Sequence, residues 1–291
     1  MKPLDGNDNN DKLRLDRHPC FSETAHMKYG RTHIAVAPMC NISCKYCLRA
    51  LNKTEDRPGV ALKILTPEEA MQTIEDSLKL YPITVVGIAG PGESLVNRET
   101  FETFRLVDER HPELLKCLSS NGLLLAGSIE ELKKIHVDNI TVTVNTLRPE
   151  TGARIYNFVN FEGKRYEGKE AAEILIKKQI EGVKAAVKAG FIVKINTVLI
   201  PGVNDNEVEE IAKFYGSLGA AIMNIIPLIP IHDMQGMKPP TCEELQDARN
   251  KCTPYVTQFH KCRQCRADAV GVPGLHGAHN KGSADTEYFH G

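Results

Sequence analysis

The stretch Thr32-His33-Ile34-Ala35-Val36-Ala37-Pro38-Met39-Cys40-Asn41-Ile42-Ser43-Cys44-Lys45-Tyr46-Cys47 joins a short apolar run to three closely spaced cysteines. The run 32–37 reads as a strand buried on both faces of a parallel sheet. The cysteines follow it directly, in C-x3-C-x2-C spacing. Three thiolates so spaced can hold three irons of a [4Fe–4S] cube and leave the fourth iron open to a substrate or cofactor. Zinc is the competing reading, but zinc usually takes four protein ligands in paired C-x2-C units.

Working outward, the same alternation recurs. Candidate strands at 83–89, 114–119, 139–145, 192–200 and 221–228 are near-continuously apolar, and amphipathic stretches fill the gaps. Thr66-Pro67-Glu68-Glu69 offers an N-cap, a proline at the first helical position and a capping-box glutamate. Ser128 with Glu131 and Thr241 with Glu244 repeat that spacing. The segment 169–189 has apolar residues at helical intervals, and Gly190 stands where a C′ glycine stops a helix. Six strand–helix units in order predict an α/β fold, a partial (β/α)6 TIM-like barrel with N- and C-terminal extensions. A Rossmann-like open sheet is the alternative, yet no glycine-rich dinucleotide turn follows the first strand. The polar residues 1–16 are expected to be mobile, 17–271 to form the barrel with its extensions, and 272–291 to be a disordered tail.

Composition narrows the function. The 291 residues are 42% hydrophobic and 25% charged, with a formal net charge of −1. This balance suggests neither nucleic acid nor an anionic membrane as a partner. With no apolar run of spanning length and no secretory leader, the protein is expected to be cytoplasmic. Thiols stay reduced there, so nine cysteines call for metal or cluster ligation rather than disulfides. Cys40, Cys44 and Cys47 form one group and Cys262 and Cys265 another, while Cys20 and Cys117 stand alone. Cys242 and Cys252, on a candidate helix without a motif, read as core or surface thiols.

The three-cysteine loop, with aromatic Tyr46 before its last cysteine, resembles the radical S-adenosylmethionine (SAM) superfamily. There the open iron chelates the amino and carboxylate groups of SAM, and an electron from the cluster releases a 5′-deoxyadenosyl radical. Gly90-Pro91-Gly92-Glu93 follows the second strand, where the superfamily keeps a glycine-rich turn that meets the methionyl amine of SAM. Backbone must approach a ligand closely at such a turn, so side chains are excluded. The resemblance thus implies SAM contacts at Gly90, Gly92 and Glu93. Asn145 and Asn196, near the ends of the fourth and fifth strands, match positions that contact SAM in related enzymes. They read equally well as amides capping strand ends.

A narrower resemblance, to the nitrogenase-cofactor maturase family NifB, covers residues 17–271. It rests on His18-Pro19-Cys20-Phe21-Ser22-Glu23, Ala25-His26, His33 through Pro38, Arg57-Pro58-Gly59-Val60, Cys117-Leu118-Ser119-Ser120-Asn121-Gly122, and Asn196 to Asp205. The run Cys262-Arg263-Gln264-Cys265-Arg266-Ala267-Asp268-Ala269-Val270-Gly271 is the most diagnostic. This family takes two [4Fe–4S] clusters as substrates, joins them with an added sulfur, and inserts a carbide derived from a SAM methyl group. The resemblance implies a first substrate cluster at Cys20, Cys117, His33 and Glu55, and a second at Cys262 and Cys265. On residue type alone, Cys117 also reads as a small core hydrophobe and His33 as a satisfied core residue. Arg263 and Arg266 could offset cluster charge or be solvated surface charges. Implied partners are iron–sulfur donor and electron donor proteins and nitrogenase cofactor carrier or scaffold proteins. Many relatives carry a cysteine before Arg-Pro-Gly that is missing from 51–56 here, and many append a carrier domain that is not expected in this chain. A radical SAM enzyme acting on a peptide or small organic substrate, with auxiliary clusters for electron transfer, is the functional alternative.

Overall fold

The structure is a computed structural model that describes residues 8–262 and 264–275. Its centre is a sheet of six parallel strands in chain order: β1 (Gly30–His33), β2 (Ile83–Ile88), β3 (Leu115–Ser120), β4 (Asn139–Thr143), β5 (Ile192–Leu199) and β6 (Ile222–Pro227). Each strand pairs in parallel with the next. A short β7 (Thr257–Gln258) extends the sheet beyond β6 in parallel, and β8 (Val270–Gly271) lies antiparallel on β1. Side chains from β1 through β6 line a common interior cavity, as the predicted partial barrel requires.

The helices are α1 (Asp8–Arg17), α2 (Glu23–Lys28), α3 (Pro67–Leu80), α4 (Arg98–Arg110), α5 (Leu125–Lys134), α6 (Pro149–Ile155), α7 (Gly168–Lys188), α8 (Val208–Ser217) and α9 (Cys242–Cys252). α3 shows how sequence makes the outer layer. Thr66 and Glu69 close the expected capping box, Pro67 opens the helix, and Ala70, Met71 and Ile74 fall on one buried face. Burying Met71 or Ile74 contributes about 1.5–3 kcal/mol each. α9 has the same box at Thr241 and Glu244. α7 stops at Ala189, and Gly190 follows at φ +86°. No helix among the described residues is long and apolar enough to cross a membrane.

Several boundaries depart from the expectation. Ser128 does not cap a helix; α5 already begins at Leu125, and Ser128 Oγ bonds back to Leu124 O at 3.0 Å. The capping-box spacing matched by chance inside a helix, where a serine bonds the preceding turn. The predicted strand 32–37 is regular only to His33, although 34–37 remain fully buried and Ala37 bridges to Pro91. Within 1–16, read as mobile, the structure describes α1. Arg14 pairs with Asp138 at 3.3 Å, Arg17 donates to Glu113 O, and Leu15 packs near Phe21. Of the expected tail, Pro273–Leu275 forms a 3-10 turn, and 276–291 lie outside the described residues.

A hairpin unforeseen in the sequence, Tyr156–Phe161 with Lys164–Glu167, turns at Glu162 and Gly163, both at positive φ (50° and 75°). That is the backbone of a two-residue I′ turn. The hairpin adds Ile42–Cys44 as a third, antiparallel strand and so clasps the three-cysteine loop.

Thr66→Ala is expected to lower stability by about 1 kcal/mol, and Ser128→Ala to cost clearly less. Denaturant unfolding of the two variants under identical loading measures this; equal losses would mean that Ser128 does cap.

Candidate functional site: a cysteine-lined barrel interior

Strand alternation builds the site. Ile34, Val36, Val86, Ile88, Leu118, Ile140, Val142, Val193, Ile195, Met223 and Ile225 pack outward against the helices. The alternate residues face a cavity of about 300 Å³. These include Arg31 and His33 of β1, Cys117 and Ser119 of β3, Thr141 and Thr143 of β4, Lys194 and Asn196 of β5, and Asn224 of β6. Both strand faces are buried, as predicted, but the inner face is largely polar.

Cys40, Cys44 and Cys47 all line this cavity. Their loop is pinned at Lys45 N to Ile155 O (2.9 Å), Cys47 N to Cys44 O (3.0 Å) and Asn160 N to Asn41 O (2.7 Å). Burial pushes the Cys40 thiol up to about 11 and the Cys44 thiol well above its usual range, with the neighbouring Cys47 and Cys40 sulfurs adding to the Cys44 shift. Binding iron there must therefore displace protons. Among the described residues no three His, Cys, Asp or Glu side chains converge as a single metal ion needs. A cube presents separate irons around a volume, so three thiolates facing one cavity suit a cube and not a zinc ion.

The glycine turn is laced to that loop. Gly92 N donates to Ala37 O at 2.6 Å and Glu93 N to Met39 O at 2.8 Å. A Cβ on Gly92 would collide with the Met39 carbonyl and lie 2.8 Å from Ala37 O. Glycine is therefore required here first by the cluster loop's own backbone. Gly92 and Glu93 line the cavity, while Gly90, at φ +126°, shapes the turn from outside the lining. The buried Glu93 carboxylate accepts from Ser120 Oγ (2.7 Å), Asn121 N (2.6 Å) and Leu95 N (3.1 Å). Burial raises its pKa, and these donors oppose the rise. Asn145 also lines the cavity and is engaged with protein. Its Nδ2 donates to Tyr46 Oη at 2.8 Å and its Oδ1 accepts from Val198 N at 2.9 Å. Asn196 accepts from Asn224 Nδ2 at 3.1 Å.

Cys20, His33, Cys117, Cys262 and Cys265 line the same cavity. His33 Nδ1 lies 3.1 Å from the Arg266 carbonyl, which can only accept, so Nδ1 carries the proton and Nε2 keeps a free lone pair. Burial and the Arg31 charge push the His33 pKa down to about 3. The neutral imidazole has the tautomer that an iron ligand needs. Burial drives the Cys20 thiol up to about 11 and the Cys117 thiol to about 12.

Glu55 is not brought into the cavity. Its carboxylate accepts from Asn52 Nδ2 at 2.7 Å and pairs with Arg57 at 2.5 Å. Arg266 is not solvated and does not line the cavity. It is 1% exposed, ion-paired with Asp268 at 2.8 Å and bonded to the Asn52 and Glu55 carbonyls. Arg263 lies outside the described residues. Cys252 is buried against Val208 O, Cys242 is exposed, and neither lines the cavity.

Sequence reasoning missed the inward cations Arg31 and Lys194. Lys194 left a signal, because a lone lysine inside Ile192-Val193-Lys194-Ile195 contradicts a strand buried on apolar faces.

Residues 34–215 match the Radical SAM superfamily. Among solved structures, the chain is similar to methylornithine synthase, with a TM-score of 0.55 at 12% identity, covering 88% of this chain and 72% of that one. It is also similar to a radical SAM methyltransferase from Sphaerobacter thermophilus, with a TM-score of 0.52 at 17% identity, over 79% and 64%. Barrel, open three-thiol loop and superfamily match together make the chain a radical SAM enzyme. Its curated relatives narrow the class. The FeMo cofactor biosynthesis protein NifB of Methanocaldococcus infernus is 52% identical over 261 residues, spanning 89% of this chain and 86% of that protein. The NifB of Azotobacter vinelandii is 42% identical over 274 residues, spanning 91% of this chain and 54% of that longer protein. The chain belongs to the NifB family of FeMo cofactor biosynthesis proteins.

Because Gly92 and the cluster loop interlock, Gly92→Ala should weaken SAM binding at least about tenfold, or ~1.4 kcal/mol, while the barrel stays folded. Titrating SAM into reconstituted protein, following the cluster's electron paramagnetic resonance (EPR) signal alongside circular dichroism, gives the answer. Unchanged affinity would remove the turn from the SAM site.

Proposed function

We propose that this chain fuses two [4Fe–4S] clusters into the 8Fe precursor of the nitrogenase cofactor and inserts a carbide derived from a SAM methyl group. The observation that carries this is that Cys20, Cys40, Cys44, Cys47, Cys117, Cys262 and Cys265 line one interior cavity. A reaction that joins clusters needs them within reach of one another and of the SAM-bearing site.

In this reading Cys40, Cys44 and Cys47 would hold the resident cube, which when bound would supply the SAM anchor and the electron for reductive SAM cleavage. Gly92, Glu93, Asn145 and Asn196 shape the SAM pocket, with Gly90 setting the turn. Asn145 acts chiefly through Tyr46, which it ties to the end of β4. Cys20, Cys117 and His33 hold the first substrate cluster and Cys262 and Cys265 the second. Two or three ligands, one of them a neutral imidazole, suit a cargo that must later be released better than four thiolates. Glu55, turned to Arg57, would need to leave that ion pair to serve as a ligand. A methyl group passes from SAM to cluster sulfide with S-adenosylhomocysteine as leaving group, and hydrogen abstraction from that methyl yields 5′-deoxyadenosine. Partners in this reading are donors of clusters and electrons and a carrier or scaffold that takes up the product.

Reduced, reconstituted protein is expected to yield both 5′-deoxyadenosine and S-adenosylhomocysteine, and Cys44→Ala to abolish both while leaving the fold intact. Chromatography of the nucleosides decides this. Only 5′-deoxyadenosine, with substrate clusters present, would favour an organic substrate.

Fully loaded protein should carry about 12 irons, at four per cube. Replacing Cys262 and Cys265 together should remove about four and stop S-adenosylhomocysteine formation. Replacing Cys20 and Cys117 should spare methyl transfer but prevent fusion. Iron analysis with product detection tests both. Full iron content and fused product in either double variant would return those cysteines to a structural role.

A further inference from the structure

The inner wall of the barrel carries two buried cations beside the outlying cysteines, one in contact with Cys265 and the other with the Cys20 backbone. Arg31, on β1, is 1% exposed. Its guanidinium donates to Cys265 Sγ at 3.0 Å and to Gly271 O at 2.8 Å. Lys194, on β5, is 6% exposed. Its ammonium donates to the Cys20 carbonyl at 3.1 Å and sits 4.4 Å from the centre of the Phe21 ring and 5.7 Å from that of Phe259. Its charge also acts on the Cys20 and Cys117 thiols.

Removing a charge from water is costly unless a counter-charge meets it. The Lys194 partners are a carbonyl and two ring faces, and none carries a formal charge. Arg31 reaches the second pair by direct contact, through its N–H to Cys265 Sγ. A cube held by thiolates is an anion, and both cations face the cavity in which it would sit. The two cations differ in kind. Arg31 offers a directed N–H to a sulfur, while Lys194 offers a compact charge clamped between aromatic rings.

The geometry points to Arg31 and Lys194 as paired counter-cations for two anionic substrate clusters: Lys194 serves the cluster at Cys20 and Cys117, and Arg31 the one at Cys262 and Cys265. This rests on the cluster-fusing function proposed above. Each cation favours binding of the anionic cube beside it and stabilises its reduced form, raising its reduction potential. The N–H bond from Arg31 also fixes the Cys265 sulfur, so Arg31 is a positioning residue for that ligand.

The test compares full-length wild type with Arg31→Gln, Arg31→Lys, Lys194→Gln and Lys194→Arg after anaerobic reconstitution. Iron per chain and EPR-monitored redox titrations are the readouts. The Cys262/Cys265 and Cys20/Cys117 double alanine variants show which signal belongs to which cube. Arg31→Gln should move the Cys262/Cys265-dependent cube to more negative potential and weaken its binding about tenfold or more, the weight of one charge-assisted hydrogen bond. The radical-SAM cube should keep its potential, and the Cys20/Cys117-dependent cube should move less, because the Arg31 charge also reaches Cys20 and His33. Lys194→Gln should do the same to the Cys20/Cys117-dependent cube alone, and Arg31→Lys and Lys194→Arg should recover most of each loss. Unmoved potentials in both glutamine variants, or the larger shift at the wrong cube, overturn the proposal. A lowered melting temperature without those shifts leaves the cations a purely structural role and overturns it equally. If a double alanine variant keeps its cube, the ligand assignment fails instead, whatever the cations do.

Discussion

A strand in a parallel sheet sends its side chains alternately to two faces, and here both faces must be buried. The outer face meets helices and is filled by branched aliphatics such as Ile34, Val86, Leu118, Ile140 and Ile195. The inner face meets a cavity and carries Arg31, His33, Cys117, Thr141, Lys194, Asn196 and Asn224. A sheet with this division cannot slip by one residue. A slip would place lysine and asparagine against the helices and leucine around the cavity. The register that builds the core therefore also fixes the chemistry of the site. Mutual contacts satisfy part of the inner wall, as between Asn196 and Asn224. Other groups, including Nε2 of His18 and Oδ1 of Asn224, have no hydrogen-bond partner among the described residues and suit a polar occupant.

The three-cysteine loop inherits its shape from this sheet without being part of it. Backbone bonds from Gly92 and Glu93 grip one end of it at Ala37 and Met39. The hairpin Tyr156–Phe161 and Lys164–Glu167 clasps Ile42–Cys44 at the other. Between them Glu93 gathers donors from Ser120 and Asn121, and the Asn121 amide in turn donates to Asn41 Oδ1 at 2.7 Å. Leaving a buried carboxylate without such donors would cost more than any single bond contributes. These bonds satisfy the carboxylate and tie the loop, through Asn41, to the end of β3.

The barrel was legible because its signals are local and repeated. Apolar runs separated by helical periodicity recur six times, and the capping boxes at Thr66 and Thr241 sit where the spacing put them. The same rule misled at Ser128, since spacing cannot distinguish an N-cap from a serine already within a turn. The hairpin was missed because its Glu-Gly turn is a weak signal and its pairing partner lies over a hundred residues away at Ile42–Cys44. The cysteine groups were visible as groups, yet nothing in their spacing says that they share a cavity. That follows only from which face of β3 Cys117 occupies and from where the segments outside the barrel fold back. Arg31 was overlooked, and Arg266 considered as a cluster-facing charge, for one reason. Charge near a cysteine in sequence is a poor guide to charge near it in space: Arg266 turns to Asp268, while Arg31 reaches Cys265 from the opposite end of the chain.

That long-range contact shows how segments outside the barrel bring further thiols to its interior. Cys20 comes from the segment between α1 and α2, and Cys262 and Cys265 from the segment between β7 and β8. Both segments lie outside the six strand–helix units and return to them. β8 adds to β1 antiparallel through Arg31–Gly271 and Thr32–Val270, which sets the second cysteine pair beside the inner face of the first strand. His33, on that face, donates to the Arg266 carbonyl, so the strand that leads into the radical-SAM loop also anchors the last cysteine segment. The N-terminal segment is tied across the barrel by Lys194 and, through Thr84 Oγ1 to Arg17 O at 2.7 Å, to β2. The extensions thus supply the outlying thiols and the barrel supplies the cations and the imidazole that face them. Neither part brings this full set of side chains to the cavity alone, so loosening either terminal segment from β1 or β5 would separate the outlying thiols from the barrel groups that face them.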